Sequence, residues 1–168
     1  MGTSHPETKP WVIERILRAQ ARRVLDVGAG AGNWLDCLRG AGYTGTVDAV
    51  EVWQPYVSTY RLWERYDLVL QQDARTIDPR TFAAYDCVIF GDVLEHMTKA
   101  EAVALWDAAA AAQHTAIAIP IVPYCQGHLN GNPYETHVKD DWSHDEVLAT
   151  FPGIAEAHPF TITGAYWR

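Results

Sequence analysis

A chain of 168 residues with 48% hydrophobic content is sized for one packed core, about 100–200 residues being usual, and needs no disulfide framework. Its net charge of −8 opposes nucleic acid as a partner, and Cys37, Cys87 and Cys125 form no Cys-x-x-Cys pair, which argues against a zinc ribbon or a disulfide scaffold. No apolar run approaches the roughly 20 residues that cross a bilayer, and residues 1–9 lack a signal-peptide core, so a cytoplasmic protein without membrane attachment is expected.

Helical and strand spacing alternate along the chain, which predicts a parallel sheet covered on both faces. Pro10 suits the first turn of a helix whose Val12, Ile13, Ile16 and Leu17 share a face, giving an N-terminal helical segment over 1–22. Arg15, Arg18, Arg22 and Arg23 read as a solvated helix face running into a strand rather than as a nucleic-acid patch. A first strand is expected over 23–27. A helix capped by Asn33 and carrying Leu35 and Leu38 follows, ended by Gly40 and Gly42, and a second strand spans 46–51. Pro55 opens a helix with Tyr56, Tyr60 and Trp63 on its apolar face, and a third strand spans 68–72.

Asp78-Pro79 reads as a helix cap followed by proline at the first helical position. Residues 86–90 form a nearly continuous apolar strand, the pattern of one buried on both faces. Thr98 and Glu101 make a capping-box pattern that opens a helix reaching Ala112, and a fifth strand spans 115–119. Residues 120–142, rich in Pro, Gly, Asn and His, are too long for an idle connection and read as a substrate-side loop. Ser143 and Glu146 make a second capping box, and 154–167 fits a terminal hairpin turning near Pro159 or further on.

The segment Val24-Leu25-Asp26-Val27-Gly28-Ala29-Gly30-Ala31-Gly32 lies between an expected strand and an expected helix, where glycines let a ligand approach main-chain N–H groups. By itself such a loop serves a dinucleotide, an adenosyl sulfonium or a tight turn. Glu51, about twenty residues on, ends the second strand, where a carboxylate accepts ribose hydroxyls; Asp48 competes for this role, and strand phase favours Glu51. Asp73 ends the third strand, where a carboxylate can receive an adenine amino group, and Gly91-Asp92 follows the fourth.

With these residues the chain resembles the class I S-adenosylmethionine-dependent methyltransferase superfamily in its small-molecule form. The glycine segment is similar to that family's first motif, Val50-Glu51 to its ribose-binding acid, and Gln72-Asp73-Ala74 to its adenine-binding segment. Tyr85 through His96 resembles its fourth-strand motif, and Ile119-Pro120 its fifth strand. The resemblance implies one α/β domain over 1–168: Rossmann-like, with a mostly parallel seven-stranded sheet, helices on both faces and a C-terminal antiparallel hairpin. It implies S-adenosylmethionine as cofactor and S-adenosylhomocysteine as product. Asp26, Gly28, Ala29, Gly30 and Gly91 would lie beside the methionine moiety, Glu51 would hold the ribose, Asp73 and Ala74 would address adenine, and Val52 or Trp53 would pack on its face.

Methyl transfer from an activated sulfonium depends chiefly on alignment, with a general base helping a hydroxyl acceptor. His137 is the leading base candidate, followed by His128 and His96, although a histidine that merely pins the loop fits His137 equally well. Glu95-His96 reads as a helix start before a catalytic pair. Cys125, His128, His137 and His144 match no familiar zinc spacing, so no metal site is expected. Trp11, Tyr124, Tyr134 and Trp142 would form an aromatic rim suited to a planar or apolar acceptor. A small metabolite is therefore the preferred acceptor, ahead of a protein and then a nucleic acid, and a homodimer is permitted. Two other readings stand: a nucleotide-binding partner or sensor without catalysis, and an NAD-dependent reductase, against which the missing Tyr-x-x-x-Lys set counts.

Overall fold

Seven strands make one sheet: β1 (Arg23–Val27), β2 (Thr46–Val50), β3 (Leu68–Leu70), β4 (Cys87–Gly91), β5 (His114–Pro120), β6 (Glu156–Pro159) and β7 (Thr163–Trp167). The computed structural model describes residues 5–168; residues 1–4 of the expected 1–22 segment lie outside that range. The strand order is β3-β2-β1-β4-β5-β7-β6. Strands β1 to β5 run parallel, and β7 is antiparallel to both β5 and β6. This is the expected α/β, Rossmann-like arrangement with its terminal hairpin.

The parallel strands are apolar because both faces are covered; β4 is buried along its whole length. Alternate residues feed opposite faces. Val24, Cys87 and Ile89 pack with Val12, Ile16, Leu35 and Leu38 of helices α1 (Lys9–Arg18) and α2 (Asn33–Gly40). Leu25, Val27, Val88 and Phe90 pack on the other side with Phe82 of α5 (Pro79–Phe82) and Leu105 and Trp106 of α6 (Lys99–Ala108). Strand order reverses between β1 and β4, so a crevice opens at their carboxyl ends, where sheets of this kind take ligands.

The local chemistry is mostly as the sequence suggests. Asp78 accepts from the Arg80 amide at 2.9 Å to open α5, and Thr98 and Glu101 form a complete capping box at α6. At the start of α7 (His144–Thr150) the expected second box is half made: Ser143 accepts from the Glu146 amide, but the Glu146 carboxylate pairs with Lys99 and Lys139 instead of returning to Ser143. Several boundaries differ. The cap of α2 is Gly32, with φ of 80°, and not Asn33. Strand β3 stops at Leu70, and α6 tightens into a 3-10 turn over Ala109–Ala111.

The single helix expected after Pro55 is two, α3 (Gln54–Thr59) and α4 (Leu62–Arg65). Arg61 between them has φ of 51°, which resets the helical phase. Leu62 is consequently buried, whereas Trp63, expected on the apolar face, is 56% exposed.

Candidate active site

The loop after β1 is tied to β2 by backbone bonds from Gly28 and Ala29 to the Val50 carbonyl, at 2.8 and 3.1 Å. Gly28 has φ of 72°, and a Cβ there would stand 2.5 Å from Val93 Cγ2, so the close pass beneath Val93 requires glycine. Next to it, the Gly30 amide donates to Glu51 Oε2 at 2.8 Å and the Trp53 amide to Glu51 Oε1 at 2.7 Å. Burial raises the Glu51 pKa, against the two amide bonds that favour its charge. Each carboxylate oxygen retains a further lone pair, and the side chain lines the crevice. Asp48 is turned away: it is buried and accepts from Arg23 Nη2 at 2.7 Å and from the Tyr85 hydroxyl at 2.9 Å.

Gly28, Ala29, Gly30, Glu51, Val52, Asp73, Ala74 and Gly91 all line one cavity. Asp26, expected beside them, does not. Strand alternation turns its side chain into the core beneath the loop, where the Tyr66 hydroxyl donates to Oδ2 at 2.5 Å. Burial pushes its pKa up to about 7. Asp73 lines the cavity but is already engaged, accepting from the Arg75 amide at 2.9 Å and pairing with its guanidinium at 2.6 Å. That guanidinium, the first cause, holds the Asp73 carboxyl below its ordinary value.

In the wall of the cavity, Trp34 leans over Gly91 so closely that a Cβ on Gly91 would meet Trp34 Nε1 at 1.8 Å. Trp34 is 2% exposed, and its indole N–H has no acceptor among the described residues. A buried donor left unpaired in a cavity wall fits a ligand that brings an acceptor.

Two of the three candidate histidines meet here. Glu95 and His96 lie on the 3-10 turn Leu94–His96 after β4, and the Glu95 carbonyl accepts from the amides of Val138 and Lys139 at 2.8 and 3.0 Å. That staple draws His137 over His96, with ring centroids 4.8 Å apart in edge contact. His96 Nδ1 faces the Thr136 carbonyl at 3.2 Å, and His137 Nδ1 faces the Tyr124 carbonyl at 2.6 Å. A carbonyl only accepts, so Nδ1 is the donor in both contacts, and Nε2 is the nitrogen left for other partners. Burial, then the neighbouring His137, lowers the His96 pKa to about 4, which leaves that ring neutral. Burial and the Asp92 carboxylate drive the Glu95 carboxyl well above its ordinary value. His128 is exposed and outside the cavity.

The expected aromatic rim divides. Tyr124 and Tyr134 line the cavity, and the Tyr134 ring lies 6.2 Å from that of Trp53, joining the 121–142 segment to the residues after β2. Trp142 is core, packed on Phe151, and Trp11 stacks under the Arg15 guanidinium outside the cavity. Trp34, Gln126 and Asn132 were not anticipated as cavity residues. Asn132 alone carries a local signal, since Asn-Pro at 132–133 marks a capped turn, and its side chain accepts from the Tyr134 amide at 2.9 Å.

The methyltransferase domain family matches residues 9–143. No curated protein matches the chain by sequence. Among solved structures, the methyltransferase domain of a bacterial Hen1, CtHen1, superposes with a TM-score of 0.71 at 17% identity, over 97% of this chain and 98% of that one. The N-terminal domain of EvdMO1, solved with S-adenosylhomocysteine bound, gives 0.65 at 13% identity over 96% and 80%. A candidate O-methyltransferase from Nostoc punctiforme gives 0.68 at 14% identity; it covers 96% of this chain, which spans only 56% of that protein. At these identities the likeness speaks for the fold.

Proposed function

Because this chain belongs to the methyltransferase domain family, we propose that it transfers the methyl group of S-adenosylmethionine to a small-molecule acceptor held under the 121–142 segment. The observation that carries this reading is Glu51, clamped by the Gly30 and Trp53 amides at the carboxyl end of β2 with lone pairs left for a pair of hydroxyls. Glu51 would hold the ribose, Asp73 and Ala74 the adenine end, and the glycine loop with the Trp34 indole N–H the methionine end.

Bound S-adenosylmethionine supplies a methyl group already activated on a sulfonium. The chain supplies alignment and a dry enclosure. Tyr124, Asn132 and Tyr134 close the cavity from the loop side. His137 would act as the base toward a hydroxyl acceptor, with its ring held by the Tyr124 carbonyl, while His96, kept neutral by burial, would line the cavity beside it. Support for a small acceptor comes from this aromatic, loop-covered cavity, while a net charge of −8 opposes an RNA or DNA acceptor.

The reading is tested by incubating the protein with methyl-labelled S-adenosylmethionine and, separately, a small-metabolite fraction, total protein and total RNA. Label is expected in the metabolite fraction. Label confined to protein or RNA would overturn the small-molecule assignment.

A further inference from the structure

Glu95, His96 and His137 each offer one ligand atom, and these atoms all lie within 4.8 Å of one another. Sequence spacing concealed this group, because its members come from two loops that meet through the staple at the Glu95 carbonyl and the His96–Thr136 bond. Glu95 is 1% exposed, and among the described residues neither of its carboxylate oxygens has a hydrogen-bond partner from another residue. A carboxylate so placed needs a proton, a partner or a cation. Asp92 and Glu135 add negative charge around it.

The imidazoles are arranged as ligands are. Each Nδ1 is spent on a backbone carbonyl, of Thr136 for His96 and of Tyr124 for His137, which fixes the ring and aims the Nε2 lone pair. That second hydrogen bond is the usual support of a metal-binding histidine. Glu95, His96 and His137 all line the proposed methyl-transfer cavity, so a cation there would keep positions open to it.

We propose that Glu95, His96 and His137 bind a divalent first-row transition cation such as Mn2+, Co2+ or Zn2+. Two imidazoles and one carboxylate suit these ions, whereas Mg2+ favours an all-oxygen shell. The open positions would hold a hydroxyl oxygen of the acceptor and lower its pKa, so that its proton passes to water; the oxygen then bonds to the methyl carbon as the carbon–sulfur bond breaks and the sulfur keeps the electron pair. This last consequence rests on the methyltransferase reading; the cation site does not.

Tag-free protein stripped with a chelator is titrated with Co2+, followed by visible absorption and calorimetry, and in a separate experiment with S-adenosylhomocysteine. One Co2+ per chain is expected, with Mg2+ at least tenfold weaker. His137→Ala and Glu95→Gln should each weaken Co2+ at least tenfold, and His128→Ala should leave it unchanged. Glu95→Gln should also raise the melting temperature of the metal-free protein, because it removes an unpaired buried acid; a merely structural Glu95 would lower it. Absence of Co2+ binding, or Co2+ binding that survives both ligand substitutions, overturns the site. Loss of S-adenosylhomocysteine binding instead overturns the proposed function, whatever the Co2+ result.

Discussion

The Gly30 amide and the Glu51 carboxylate, 2.8 Å apart, join the glycine loop after β1 to the acid after β2 as one unit. The bond offsets part of the cost of burying Glu51 and fixes which lone pairs face the cavity. The loop therefore shapes the site twice, through its own approach to the ligand and through the acid that it orients.

Glu51→Ala is expected to weaken S-adenosylhomocysteine binding by roughly 1–3 kcal/mol, the range for hydrogen bonds to a charged or buried group. Calorimetry measures it. Asp48→Asn should instead lower stability with affinity little changed, since Asp48 serves Arg23 and Tyr85 in the core. Undiminished affinity in Glu51→Ala would place the ribose elsewhere.

Gly91→Ala drives a methyl group into Trp34, so the indole must swing out of its buried position. Overpacking of this kind typically costs about 1–3 kcal/mol. Urea denaturation should show that loss together with a changed Trp fluorescence. A variant as stable as the parent would show that the indole has room to yield.

Asp26 makes stability depend on pH. Its folded pKa, pushed up to about 7 mainly by burial, lies above the 3.8 of an ordinary aspartate. The folded state thus holds the proton more tightly, and this contribution, present in full below pH 4, is lost as pH rises through 7. At about 1.4 kcal/mol per pKa unit it is on the order of 4 kcal/mol. Asp26→Asn, which keeps an acceptor for Tyr66, should gain on the parent between pH 5 and pH 8 in urea denaturation. An equal difference at both values would refute the assignment.

His137→Ala should reduce turnover, once an acceptor is identified, by a factor of about 100 or more, the scale of lost acid–base or metal assistance. S-adenosylhomocysteine affinity should move by less than tenfold. A parallel fall in folding stability with turnover preserved in the surviving folded fraction would reduce His137 to a residue that pins the loop at Tyr124.

The strands, the glycine loop and the capped starts of α5 and α6 were legible because each is set by neighbours a few residues away. Strand phase likewise separated Glu51 from Asp48. The same alternation, followed back one strand, would have turned Asp26 into the core, where a family resemblance placed it at the ligand. Trp63 was misplaced because nothing in its neighbourhood announces a left-handed Arg61. The His96–His137 contact was hidden for a different reason: it depends on backbone bonds from Val138 and Lys139 to Glu95, which no periodicity or motif encodes. Long-range staples of this kind decide the shape of the 121–142 segment, and with it the acceptor side of the cavity.

What the cavity binds decides most directly whether the chain works on S-adenosylmethionine. Calorimetric titration of the folded protein with S-adenosylmethionine, S-adenosylhomocysteine and NAD should give one site per chain for the first two and no heat of binding for NAD. Binding of NAD, or a folded protein indifferent to both adenosyl compounds, would contradict it.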